Sequence, residues 1–224
     1  MSVTQVKLKK SFPERLRSLG LDEHGSRIAV PTRILRSDSK IPKWRGWLMK
    51  IYILGIDHEI QLADGRRAQA EKAEFAKLLT EIFSKHEIRF IGEETFPEKA
   101  SIARTFGGMI GIPWEPIEMS PEGRKELGIA DEQVHERHEP IFENNLVVGS
   151  KARRVLSDYI REEYMVWRML TKVEDPASVL VLCGLMHAEN LGRLFQREGH
   201  EVTVDSLCNY AWYSHPTGCP EANG

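Results

Sequence analysis

Apolar residues along this chain fall into short unbroken runs separated by longer amphipathic stretches, the patterning of a buried parallel sheet covered by helices. Ile51–Leu54 and Val179–Cys183 are continuous apolar strands. Glu87–Gly92 predicts another strand. Trp114–Met119 predicts one at an edge, because Pro116 has no N–H to give a neighbour. His200–Val204 predicts a last one. Helical spacing appears over Arg66–Lys85, where Ala68, Phe75, Leu78, Leu79, Ile82 and Phe83 share a face, and over the shorter Ser101–Met109. It returns over Gly149–Thr171, with Ala152, Val155, Leu156, Tyr159, Val166 and Leu170, and after His187, with Leu191, Leu194 and Phe195 up to Gly199. Strands alternating with helices imply an α/β fold: a three-layer core with a mainly parallel sheet and a ligand site at the carboxyl ends of the strands.

Residues 1–48 lack either period. They carry 11 Lys/Arg against 4 Asp/Glu, whereas the remainder carries 20 against 29, so the net charge of −2 conceals a basic arm. This arm reads as a disordered extension, or as a start called too early, since Met49-Lys-Ile-Tyr-Ile-Leu resembles the opening of a fold. The alternative is an arm for an acidic partner. The fold proper is expected over 49–207, with 208–224 as a C-terminal tail that wraps the surface or frays. Ser120–Asn145 is charged and proline-bearing, and reads as a short helix and a long excursion that could cover the site. The 224 residues are 41% hydrophobic, enough for one substantial core. No apolar run approaches a membrane span, no secretory signal opens the chain, and the near-balanced charge points to no nucleic acid. A cytoplasmic location is expected, and oligomeric state is left open. Cys183, Cys208 and Cys219 are sparse and odd in number, which argues against a disulfide framework; Cys183 reads as a small hydrophobe in its strand.

The chemistry concentrates where strands end. Ile51-Tyr-Ile-Leu-Gly-Ile-Asp-His58 and Val179-Leu-Val-Leu-Cys-Gly-Leu-Met-His187 share a grammar: an apolar strand, then Gly-x-x-His. The glycine is expected to let the backbone turn sharply off the strand, and in a parallel sheet both imidazoles then reach the same edge. The competing reading of each histidine is a helix cap. Glu93 and Glu94 also follow an apolar strand. With His58 and His187, one of them completes a two-imidazole, one-carboxylate set suited to a catalytic divalent metal. Arg161 matters if its helix packs beside the site, where a fixed cation can hold an anionic group or an oxyanion. His135-Glu-Arg-His138 does not match His-Glu-x-x-His and reads as a solvated segment, and His86 as a surface residue.

The order strand-Gly-x-x-His, strand ending in Glu, Arg161-Glu-Glu-Tyr-Met165, then Val-Leu-Cys-Gly-x-x-His before a Leu-rich helix resembles the TraB/PrgY–Tiki superfamily, across about Met49 to Leu207. That superfamily also takes in erythromycin-esterase-like and ChaN-like haem-binding proteins. The resemblance implies an α/β fold with its site at the strand ends, built from His58, His187, Glu93 or Glu94, and Arg161. It implies a hydrolase of ester or peptide bonds acting on a small-molecule or peptide substrate. The reaction would run either with a divalent metal (Mn, Co, Zn or Fe) or, as in the esterase-like branch, with histidine and glutamate as acid and base. The alternative is a non-enzymatic module that grips haem or a metal.

Overall fold

The computed structural model describes residues 48–126, 137–143, 146–153, 156–173 and 178–213. The expectation for residues 1–47 falls outside them. Five strands form one parallel sheet: β1 (Lys50–Ile56), β2 (Ile88–Glu93), β3 (Trp114–Pro116), β6 (Ser178–Gly184) and β7 (Glu201–Ser206), in the order β3-β2-β6-β1-β7. Two further strands, β4 (Arg137–Glu143) and β5 (Leu146–Arg153), make a separate antiparallel hairpin. The helices are α1 (His58–Gln61), α2 (Gln69–His86), α3 (Ile102–Ile110), α4 (Pro121–Glu126), α5 (Leu156–Lys172) and α6 (Ala188–Arg197). The expected α/β fold is thus the observed one.

Alternation along each strand sends side chains to two cores. Ile51, Ile53, Val179, Val181 and Cys183 meet Met165, Val166, Met169 and Leu170 of α5 and Leu191, Leu194 and Phe195 of α6. Tyr52, Leu54, Ile56, Leu180 and Leu182 meet Phe75, Leu78, Leu79, Ile82 and Phe83 of α2 and Ala103 of α3. The connection after β1 therefore leaves toward one face, while the connection after its neighbour β6 leaves toward the other. Adjacent strands whose connections part in this way leave a crevice between them at the carboxyl edge. The register places Ile56 beside Gly184 and Glu93 beside Leu182. The residues following β1, β6 and β2 accordingly emerge together.

Two expectations need correction. The helix predicted from Gly149 begins at Leu156, because Gly149–Arg153 pairs with β4 as strand β5. The apolar spacing of Ala152 continued the helical face although the backbone there is extended. The predicted strand Trp114–Met119 stops at Pro116, after which Ile117 N still donates to Glu93 O (2.8 Å) and Ile117–Met119 stays buried. Cys208 is disulfide-bonded, and Cys183 is free and buried in its strand. The excursion over 120–145 contains α4 and β4, and 127–136 lies outside the described residues together with His135. His86 is half-buried, its ring 4.3 Å from that of Tyr52. No described helix is long and apolar enough to cross a membrane.

The first part of the tail belongs to the core. Tyr213 is buried in the α2 face of the sheet, and its hydroxyl lies 3.3 Å from both Asp57 and Arg67. Asp205 accepts hydrogen bonds from Tyr52 (2.7 Å), Tyr210 (2.6 Å), Asn209 (2.8 Å) and its neighbour's amide, Ser206 N (2.7 Å). Burial would push this carboxyl up, but its donors outweigh burial and lower its pKa. A depressed native pKa stabilises the fold above the unfolded value, about 3.9 for Asp. That stability is lost as pH falls through the native pKa. In urea titrations, wild type is expected to exceed Asp205→Asn in stability at neutral pH, with the gap closing below about pH 4; a gap independent of pH would contradict this.

Candidate active site

Glu94 directly follows β2, and its N–H donates to Leu182 O (2.8 Å), which stitches it to β6. Its Oε2 accepts from the main-chain N–H of Gly184 (2.7 Å) and its Oε1 from Arg161 (2.9 Å). Both imidazoles face the same Oε1: His187 Nε2 stands 3.5 Å away and His58 Nε2 3.9 Å. Of the two glutamates it is Glu94, therefore, that meets the histidines. Glu93 points to the opposite side of the strand, where Oε1 accepts from Gln61 (2.9 Å) and Oε2 from Ser101 (2.6 Å) and Trp114. Burial raises the Glu93 pKa against these hydrogen bonds.

Neither histidine acts as a helix cap. The N-cap of α1 is Asp57, whose carboxylate accepts from Glu59 N (3.0 Å), and His58 is the first helical residue. His187 occupies the N-cap position of α6 but makes no side-chain cap bond. Its Nδ1 instead lies 2.7 Å from Glu162 Oε1, and Glu162 also accepts from Asn190. A carboxylate only accepts, so His187 Nδ1 carries the proton and Nε2 is left facing Glu94. His58 Nδ1 lies 2.8 Å from Gln61 Oε1.

The role of the two motif glycines differs from expectation. Among the described glycines positive φ occurs at Gly111 and Gly199, not at Gly55 or Gly184. No special turn requires them; close packing does. A Cβ on Gly55 would stand 3.2 Å from Ala188 Cβ, and one on Gly184 would stand 3.0 Å from His58 Nε2 and 3.5 Å from Glu94 Oε2. Gly184 thus floors the space into which the histidines and Glu94 point.

Charge is the second feature of the site. Arg161 is buried, donating to Glu94 and to Glu118 (3.2 Å from Nε), with Asp158 at 3.7 Å; Glu118 also meets Arg124 at 3.3 Å. The guanidinium is therefore at the site, but its role is to hold Glu94. The carboxylates of Glu94, Glu118, Asp158 and Glu162 gather here with the guanidiniums of Arg161 and Arg124. Burial alone would raise the Glu94 pKa, but His187, His58, Arg161 and the Gly184 amide hold it down at about 2. Burial alone would lower that of His187, but the Glu94 charge and the Glu162 hydrogen bond outweigh it and raise it. The Cys183 thiol is buried beneath, pushed well above its usual range by burial and by Glu94 and Glu162. It stays protonated and is no nucleophile.

Gln61, Glu162 and Glu118 are site residues that the sequence reading missed. Gln61 stands three residues after His58, as Asn190 stands three after His187, and one helical turn is what brings an amide back beside its histidine. Glu162 is the acidic position next to Arg161. Of the other expected elements, His138 lies in the backbone of β4. The three converging side chains are not yet a closed ligand cluster, and no group of three or more His, Cys, Asp or Glu among the described residues is. His58 is the member that stands off.

Gly184→Ala is expected to push the half-exposed His58 ring away from Glu94. Thermal stability should change little, whereas any activity or ligand binding at the site should fall on the order of 10²-fold. Melting curves beside a binding or turnover assay check this, and unchanged function in a folded variant would contradict it.

No protein family, curated protein or solved structure matches the chain.

Proposed function

We propose that the chain is a hydrolase of ester or peptide bonds in which His58, His187 and Glu94 hold a divalent ion at the sheet edge. The observation that carries this reading is the convergence of two imidazole Nε2 atoms on one carboxylate oxygen, Glu94 Oε1. Their separations from it, 3.5 and 3.9 Å, are longer than good hydrogen bonds. They approach the spacing of two ligand atoms on one tetrahedral ion, roughly 3.4 Å when each lies about 2.1 Å from it. The Glu162 carboxylate behind His187 is the usual support of a ligating imidazole. The order of motifs that resembles the TraB/PrgY–Tiki superfamily supports the same set.

A bound ion would lower the pKa of a water and polarise a carbonyl. The chain's own groups do the rest. Glu162 keeps His187 oriented, and Arg161 fixes the Glu94 carboxylate. The His58 side chain, 54% exposed, lies at the mouth of the site, where a substrate can reach it. Arg161 makes its closest contact with Glu94 at the very oxygen that the imidazoles face, and one cation there opposes a second. That observation favours a second reading. In it no metal binds, and one histidine deprotonates the water while Glu94 orients the imidazole.

Elemental analysis of untagged full-length protein, wild type beside His58→Ala and His187→Ala, separates the two. Near-stoichiometric Mn, Co, Zn or Fe in wild type, absent from both folded variants, is expected, with metal-dependent cleavage of ester or peptide substrates. No metal after reconstitution with each ion would overturn the metal reading. Histidine-dependent turnover in such metal-free protein would establish the second. A Soret band after haem loading, without turnover, would mark a binding module instead.

A further inference from the structure

We infer that Glu93 and Gln61 are positioning residues that hold His58 in its Nδ1–H tautomer and so keep the Nε2 lone pair turned toward Glu94. The inference deepens the reading of His58 as a site group and rests on it. Its basis is the direction of a chain of hydrogen bonds that begins in the fold, well behind the site. Ser101 caps α3: its Oγ accepts from Arg104 N (3.0 Å), and its hydroxyl proton goes to Glu93 Oε2 (2.6 Å). Trp114 Nε1, which can only donate, reaches the same oxygen. Glu93 Oε1 is left to accept from Gln61 Nε2 at 2.9 Å.

Gln61 is wholly buried, and its Nε2 also reaches the main-chain carbonyl of Glu94 at 3.0 Å. Both groups beside Nε2 are acceptors, so the amide can lie only one way round, with its NH2 toward them and Oε1 toward His58. Gln61 Oε1 then accepts, and the proton between it and His58 Nδ1, 2.8 Å apart, belongs to the imidazole. The bond made by one ring nitrogen fixes the state of the other. His58 depends on this more than His187 does. His187 is buried against a carboxylate, but the ring of His58 is half exposed, and water alone would leave its proton free to sit on Nε2.

The carboxylate of Glu93 thus acts on the site without touching it. Its replacement by the isosteric amide makes the dependence testable. In Glu93→Gln the donor-only Trp114 claims the new amide oxygen, which turns the new NH2 toward the NH2 of Gln61. Gln61 then either turns over or loses its partner, and in both cases His58 loses its fixed acceptor.

Long-range 15N–1H spectra of the histidine side chains, recorded on metal-free full-length protein above the imidazole titration, read the tautomer directly. Wild type is expected to show His58 and His187 both protonated at Nδ1. In Gln61→Met and Glu93→Gln the His58 proton should move largely to Nε2, while His187 stays at Nδ1 and reports that the site is still folded. If the site binds an ion, titration of each variant with Zn²⁺ or Mn²⁺ should show affinity about 10–100-fold weaker. A wild-type His58 protonated at Nε2, or a folded variant that keeps Nδ1–H, would overturn the inference. Loss of folding in both variants would overturn it too, since the chain of bonds would then be holding the fold and not the tautomer. Absence of ion binding in every protein would count against the metal reading alone, because the tautomer is read without metal.

Discussion

The buried carboxylate of Glu94 is the constraint on which the sheet edge depends. Removing an ionised carboxylate from water costs several kcal/mol unless partners replace the lost hydration. Here one oxygen is held by the Gly184 amide and the other by Arg161. These two bonds join the end of β2 to the end of β6, its partner in the sheet, and to the first turns of α5. Arg161 passes the linkage on through Glu118 to Arg124 in α4. Apolar contacts settle which faces the helices cover, and this ion network settles where the strand ends stand relative to one another.

The same network explains why the histidines can do chemistry. Glu94 faces both imidazoles and Glu162 backs one of them, and such carboxylates favour a proton or a cation on the rings, the two competing for the Nε2 lone pairs. His187, buried between Glu94 and Glu162, is held more firmly than His58, whose Nδ1 partner is a neutral amide and whose ring lies half in water. The site thus pairs one fixed histidine with one adjustable one.

Much of this was legible in the sequence for a definite physical reason. A strand buried on both faces must be apolar throughout, so Ile51–Leu54 and Val179–Cys183 declared themselves, and whatever follows such a strand must lie on the edge of the sheet. His58, His187 and the Glu93-Glu94 pair could therefore be placed together before any coordinates. What could not be read is which side of a strand end each residue takes. Glu93 and Glu94 differ by one position and so face opposite ways. Gln61 and Glu162 looked like ordinary polar residues of helices, because burial of a polar side chain depends on elements distant in sequence. The β5 strand was missed because Ala152 and Val155 kept helical spacing with Leu156 and Tyr159 while the hairpin register that overrides it lies across a turn.

The sheet order has a consequence for how the protein is made. β1, the first of the described strands, sits between β6 and β7, which follow it by more than 100 residues. During vectorial synthesis β1 emerges with neither neighbour available, and its backbone groups and apolar side chains wait for almost the whole chain to follow. Tyr213, which closes on Asp57 just ahead of His58, arrives later still. His58 is thus among the first site residues to be synthesised and among the last to be set in place, so a truncated or stalled chain carries the residues of the site without the site.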